Sequence, residues 1–420
     1  PVAPALPLSP FDDGLPQAGQ WRDGFAIADM NEDGRPDLVH APPRKALGSP
    51  PVIYLGDGAG HWRPWSEARF PADLTYDYGD VAVADFDHDG HLDMALAMHV
   101  IGMNVLLGDG KGSFRDASTG IEPSAGAKEN RFTSRAVRAL DWDGDGWPDL
   151  VALGEGMSLI VGGSGPPKPL QGGLGIAVYR NLHDGRWERA ALLDSVVHGN
   201  TMAFGDFDGD GRRDLVVAAS VLGLRRLVYL GKEAGRWEER ELDVRPRAFI
   251  TAVTTGDLDG DHRDDIALSY VGVEGDEARS GIDLFLSHTA GGELTWQRQG
   301  LAVMPGRDGY TALTIGDLDG DGRNEVIVLD GSGGLQTFLG KGGGKFAAAA
   351  KAPIPPPLGG CAGYDVQLQD LDGDGRPELV AEFAGEEGSA AVLAMVIGPQ
   401  PSCRSNGAIR AWKLTAEPAR

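Results

Sequence analysis

Asp206-Phe-Asp208-Gly-Asp210-Gly-Arg-Arg-Asp214 carries carboxylates at positions 1, 3, 5 and 9 of a nine-residue stretch, with Gly at position 6. The same pattern occurs upstream as Asp29-Met-Asn31-Glu-Asp33-Gly-Arg-Pro-Asp37, with Asn31 in place of one carboxylate, Asp85-Phe-Asp87-His-Asp89-Gly-His-Leu-Asp93 and Asp141-Trp-Asp143-Gly-Asp145-Gly-Trp-Pro-Asp149. Downstream it returns as Asp257-Leu-Asp259-Gly-Asp261-His-Arg-Asp-Asp265, Asp317-Leu-Asp319-Gly-Asp321-Gly-Arg-Asn-Glu325 and Asp370-Leu-Asp372-Gly-Asp374-Gly-Arg-Pro-Glu378. The copies start 51 to 65 residues apart, a length that holds four short strands and their turns.

The flanks repeat as well. An Ala- and Val-rich segment precedes each loop, as in Phe25 to Ala28 or Val81 to Ala84, and a second apolar run follows it, as in Leu150 to Leu153 or Val326 to Leu329. Both are too short for helices and too apolar for a sheet with one wet face, so they read as strands buried on both faces. A third strand comes next, for example Val228 to Leu230. A Gly-rich turn then leads to an aromatic residue opening a more polar fourth strand, as in Gly60-His-Trp62, Gly112-Ser-Phe114 and Gly185-Arg-Trp187. The fourth strand is therefore the outer edge. Its Trp62, Trp187, Trp237 and Trp296 read as packing anchors between units, and no segment shows a helical period.

Seven such units arranged radially make an all-β, seven-bladed β-propeller of four-stranded blades, which protects sheet edges by repetition. The expected single domain is 1–420, with blades at 21–70, 76–118, 131–193, 198–243, 247–300, 307–350 and 361–415, the last completed by 6–16. The reason is that Ser9 to Gly14 resembles a fourth-strand sequence. The alternative is that Ala408 to Leu414 is itself the outer strand of blade seven.

Oxygen ligands as dense as those of the loops repel one another unless a hard cation lies among them, and Ca²⁺ is the expected ion, about seven per chain. Gly at position 6 permits the sharp turn, and the carbonyl of position 7 adds an oxygen. His262 replaces that Gly in copy five, where weaker binding is expected. An EF-hand would need Glu at position 12, where these copies have His40, Leu96, Ala152, Val217, Leu268, Val328 and Ala381. Position 9 has a second reading, capping the loop through backbone hydrogen bonds.

Composition bounds the remaining classes. The 420 residues carry a formal charge of −24, which seven Ca²⁺ would bring to about −10, so phosphate backbones and anionic headgroups are unfavourable partners. No apolar stretch is long enough to span a bilayer. The chain starts at Pro1 with no apolar leader, as expected of a processed secreted or periplasmic protein, or one at the cell surface. Its two cysteines, Cys361 and Cys403, have no metal-ligand spacing and are expected to form one disulfide.

Loops, Leu-Gly-Asp-Gly segments, Gly-x-Trp/Phe turns and the sevenfold count together resemble the FG-GAP or VCBS repeats of integrin-α-like β-propellers, over nearly the whole chain. The resemblance implies calcium loops on one face, between first and second strands, and a ligand on the opposite face. It does not fix the task, since similar propellers include adhesion receptors, lectins and accessory domains of enzymes.

On that opposite face, the residues just before the first strands include Arg22, Asp23, Tyr76, Asp77, Tyr78, Arg131, Arg135, His198, Asn200, Arg245, Arg247, Arg307, Asp308, Tyr310, Tyr364 and Asp365. Arg and Tyr supply planar donors and stacking faces suited to carboxylates or sugars. The candidate ligand-binding residues are Arg22, Tyr76, Arg135, His198, Arg247, Arg307, Tyr310 and Tyr364, with a protein or carbohydrate as partner and a monomer as the working unit. No catalytic residue is assigned. The alternative is a glycan-cleaving lyase or hydrolase using the central funnel, with His198 as base beside Tyr310 or Asp308.

Overall fold

In the computed structural model every acidic loop joins the first strand of a sheet to the second, and the carboxylate at position 9 is the first residue of that second strand. The structure describes residues 6–44, 46–121, 132–156, 158–160, 168–170, 174–194, 197–221, 223–274, 277–306, 309–349, 361–385 and 407–415. Seven four-stranded antiparallel sheets form the blades of a β-propeller, and among the described residues there is no helix. Blade one comprises Phe25–Ala28, Asp37–His40, Val52–Gly56 and Trp62–Pro64. Blade four, a second example, comprises Met202–Gly205, Asp214–Val217, Arg226–Lys232 and Arg236–Glu241.

Burial follows the radial order. Second strands are buried along at least their first four residues in all seven blades. First strands are only partly buried, because they line a central channel of about 470 Å³ rather than packing on both faces. Fourth strands alternate toward solvent, as in the exposed run of Arg236–Glu241.

Adjacent blades interlock through one repeated contact. The side chain at loop position 2 packs beneath an apolar residue among the opening residues of the following blade's fourth strand. Phe86 meets Trp187 edge-on at 5.5 Å, Trp142 meets Trp237 at 6.5 Å, and Phe207 meets Trp296 at 5.3 Å. The other four pairs share apolar clusters: Met30 with Phe114, Leu258 with Phe346, Leu318 with Leu8, and Leu371 with Trp62. The tryptophans are thus inter-blade anchors, as their repeat position predicts.

The ring closes through the N-terminal strand. Leu8–Pro10 pairs antiparallel with Ile409–Leu414, which is the third strand of blade seven and not its edge. Past that pairing, the Phe11 amide donates to Ala411 O at 2.8 Å and Arg410 forms an ion pair with Asp12. Asp13 then bonds to Gly60 and Trp62, tying the closing segment to blade one.

Two of the connections between second and third strands contain ordered strand pairs. In blade five the pairing of second and third strands continues outward from Tyr270 and Gly281 to Glu274 and Glu277. In blade three Ser158–Ile160 pairs with Lys168–Leu170. Period-two alternation there is diluted by Gly and Pro, which hid both hairpins from the sequence.

A buried pair crosses the closure seam. His40 Nε2 lies 2.7 Å from Glu382 Oε2, both side chains are fully buried, and Glu382 Oε1 accepts the Gly24 amide at 3.0 Å. Burial alone would lower the His40 pKa, but the Glu382 carboxylate outweighs it and the net shift is upward. His40→Ala would leave a buried carboxylate without its imidazole, so chemical denaturation should show a loss of about 3–5 kcal/mol. His40→Leu combined with Glu382→Leu should recover much of it. A loss below about 1 kcal/mol in the single variant would contradict a stabilising role for the pair.

Candidate functional site

Within each acidic loop the carboxylates first organise the backbone. In blade four Asp206 Oδ1 accepts the amides of Gly209 and Asp210 at 2.8 and 3.1 Å, and its Oδ2 accepts that of Gly211 at 2.9 Å. Asp210 Oδ1 accepts the Arg212 amide at 2.9 Å. This wrapping requires a left-handed backbone at position 6, filled by Gly in six loops and by His262 at φ 68° in the fifth. Position 4 is left-handed as well, including Glu32 and His88, which sequence reading overlooked because Gly is not invariant there.

Position 9 has two sets of partners. One oxygen of Asp37, Asp93, Asp149, Asp214, Asp265, Glu325 and Glu378 accepts the amide of loop position 2 at 2.7–3.0 Å. In the first six blades the other oxygen accepts a third-strand amide, from Gly56, Gly108, Asn181, Gly231, Ser287 or Gly340, at 2.7–3.3 Å. The capping role is therefore real, and it extends across to the third strand.

The same side chains face one another. Donor oxygens at positions 1, 3 and 9 lie within 4.8 Å of each other in blades two, three and five, as do positions 1, 3 and 5 in blade four. Burial, outweighing the amide bonds and reinforced by neighbouring carboxylates, pushes Asp37, Asp93, Asp214, Asp265 and Glu325 up to about 7 and Asp149 up to about 6. Asp87 Oδ1 is buried with no hydrogen-bond partner. Clustered oxygen donors, carboxylates resisting ionisation and an orphaned lone pair are the features a hard divalent cation would satisfy.

The opposite face gathers residues from four blades. The Arg22 guanidinium lies over the rings of Tyr364 at 4.3 Å and Tyr78 at 5.6 Å and pairs with Asp23 at 3.3 Å. Arg135 contacts Glu155 at 3.0 Å and Asp23 at 3.9 Å. His99 completes the group, 2.6 Å from Glu155 and packed on Tyr78. Although burial opposes it, the His99 hydrogen bond and the Arg135 charge hold Glu155 down at about 2. Arg22 and Arg135 are thus charge-balanced by Asp23 and Glu155, the latter shared with His99. No sequence signal marks His99 or Glu155, which meet Arg135 only through folding.

The remaining candidates scatter. Tyr76 is buried in the core near blade two, its hydroxyl donating to Pro71 O at 2.9 Å, and Tyr310 is buried between blades five and six. His198 is half-buried against Gly156, and Arg247 is exposed. Burial of the Tyr310 ring removes it from the funnel surface, and Asp308, the other partner named for His198, is not among the described residues. Arg307, Asp308, Arg131 and Cys403 lie outside the described residues.

Known proteins agree with this geometry. The FG-GAP-like repeat matches residues 29–96 and 317–381, and the FG-GAP repeat matches 198–232. The chain is 26% identical to integrin alpha-V of Gallus gallus over 245 residues, which cover 52% of this chain and 23% of that protein. It is also 26% identical to human integrin alpha-IIb over 215 residues, covering 49% and 16%. The matches thus span less than a quarter of these relatives' own length. Among solved structures, the crystal structure of BBS1N in complex with ARL6DN, soaked with mercury, aligns with a TM-score of 0.51 at 11% identity, covering 95% of this chain and 94% of that one, a likeness of fold alone. Seven acidic-loop blades, repeat matches in three parts of the chain and the likeness to integrin α chains identify this protein as an FG-GAP-like seven-bladed β-propeller.

Proposed function

We propose that this propeller is a binding module, secreted or at the cell surface, whose loops hold Ca²⁺ and whose opposite face recognises a protein or glycan. The convergence of Arg22, Tyr78, Tyr364 and Arg135 from blades one, two, seven and three carries the binding assignment, because buried Arg22 and Tyr78 hold the partly exposed Tyr364 ring and Arg135 guanidinium close together at one mouth of the ring. The likeness to integrin α chains supports both the binding role and the extracellular setting. A monomer would suffice, since the cluster is built within one chain. Among the described residues no helix is long and apolar enough to cross a membrane.

Calcium would be held by positions 1, 3, 5 and 9 of the loops, supplying the positive charge that lets buried carboxylates ionise. A disulfide between Cys361 and Cys403 is part of the same proposal. Cys361 is fully buried, and no described cysteine is free.

Chelation should lower the melting temperature by well over a few degrees, and the effect should depend on pH. The sign follows from the raised position-9 carboxylates. Unfolded, they titrate near 4; folded without cation, near 6–7. Their contribution to stability is fully present below about pH 4 and is lost as pH rises through 7. Melting in EDTA should therefore fall between pH 5 and 8, while millimolar Ca²⁺ should flatten the curve. A chelated protein equally stable at both pH values would contradict the assignment.

Recovering the left-handed Gly should matter in one loop only. His262→Gly should tighten one calcium equivalent, read by isothermal titration, and leave the others as they were. No change in any equivalent would show that the strain is not felt by the ion.

Screening the purified protein against arrays of glycans and extracellular protein domains should yield a ligand. Its affinity should drop tenfold or more in Tyr364→Ala and stay unchanged in Arg240→Ala on the outer edge of blade four. Loss confined to Arg240→Ala would move the site to the rim.

A further inference from the structure

The seven loops are not alike in what already neutralises them. Lys413, on the third strand of blade seven, places its Nζ against Asp372 Oδ2, 2.8 Å from Asp374 Oδ2 and 3.7 Å from Glu378 Oε1. Those carboxylates stand at positions 3, 5 and 9 of the blade-seven loop. Other blades also bring cations to their loops, but among the described residues these are single pairs with one loop carboxylate. Lys232 meets Asp208 at 3.1 Å and Arg115 meets Asp87 at 2.8 Å. Blade seven differs in a second respect. Where the other position-9 residues take a third-strand amide, Glu378 Oε1 faces the ammonium.

We propose that Lys413 is the built-in counter-ion of the blade-seven loop, so that this loop does not take up Ca²⁺ tightly. The inference rests on the calcium reading of the other loops. The ammonium donates to Asp372 and Asp374 and lies within ion-pair range of Glu378. Ca²⁺ would need the same oxygens at about 2.3–2.6 Å, which requires Lys413 to leave and to give up its ion pairs. The location gives the substitution a purpose. Lys413 pairs in register with Ser9 of the closing strand, and the neighbouring Arg410 pairs with Asp12. The blade that must hold the two ends of the chain together is thereby neutralised from within, and closure of the ring does not depend on the supply of cation.

The test counts tightly bound Ca²⁺ on the full chain by equilibrium dialysis, with melting temperature read alongside. Asp319→Asn in blade six should lower the tight count by one, whereas Asp372→Asn in blade seven should leave it unchanged. Lys413→Met should raise it by one and make melting more calcium-dependent. If Lys413→Met does not fold, the contrast between the two Asp→Asn variants decides alone. A tight equivalent lost in Asp372→Asn, or an unchanged count in folded Lys413→Met, would overturn the proposal while leaving the calcium reading intact. No tight Ca²⁺ in the wild-type chain would overturn both.

Discussion

A buried carboxylate at the head of every second strand is the constraint on which this ring depends. A carboxylate withdrawn from water is costly unless its lone pairs are satisfied, and each of these accepts a bond from the loop's second amide. In six blades it also accepts one from the third strand, so a single side chain fixes loop, second strand and third strand to one another. Hydrogen bonds to a charged group are each worth about 1.5–3 kcal/mol. The amide being held matters further, because the side chain of that residue is the wedge that fills the gap to the next blade. The loop is therefore both a cation cradle and the device that positions the inter-blade contact.

Ring closure obeys the same rule with other partners. Leu8 of the closing strand covers Leu318 of the blade-six loop, as an aromatic residue does elsewhere, and Leu371 of the blade-seven loop lies under Trp62 of blade one. Charged pairs then concentrate at this seam: His40 with Glu382, Arg410 with Asp12, and Lys413 with the blade-seven loop. On the opposite face, charges are also balanced internally, so recognition there would depend on shape, stacking and exposed polar groups more than on a bare field of one sign.

The fold was legible because its signal is periodic. Seven acidic loops, five of them reading Asp-x-Asp-x-Asp-Gly and all set between apolar runs, determine blade number, strand order and, with the aromatic residues downstream, the inter-blade role of Trp62, Trp187, Trp237 and Trp296. Closure by the N-terminal strand was legible from the likeness of Ser9 to Gly14 to a fourth strand, although the paired residues are Leu8–Pro10. The opposite face was less legible. Tyr76 and Tyr310 precede or open first strands like the other candidates, yet their rings turn into the core, a choice set by neighbouring blades and not by local sequence. Glu155 and His99 lie 56 positions apart and acquire meaning only when blades two and three bring them to Arg135. Lys413 is one of nine lysines, with nothing local to mark it until its strand is aligned with the loop.

The most direct measurement is site-resolved hydrogen exchange of the Phe207 and Gly231 amides, the two that share Asp214 in blade four. If the buried carboxylate joins loop to sheet, both amides should exchange only with global unfolding in the presence of Ca²⁺, as slowly as those of the buried second strand. Exchange of either at the rate of an exposed loop amide would contradict the central role given to the carboxylate.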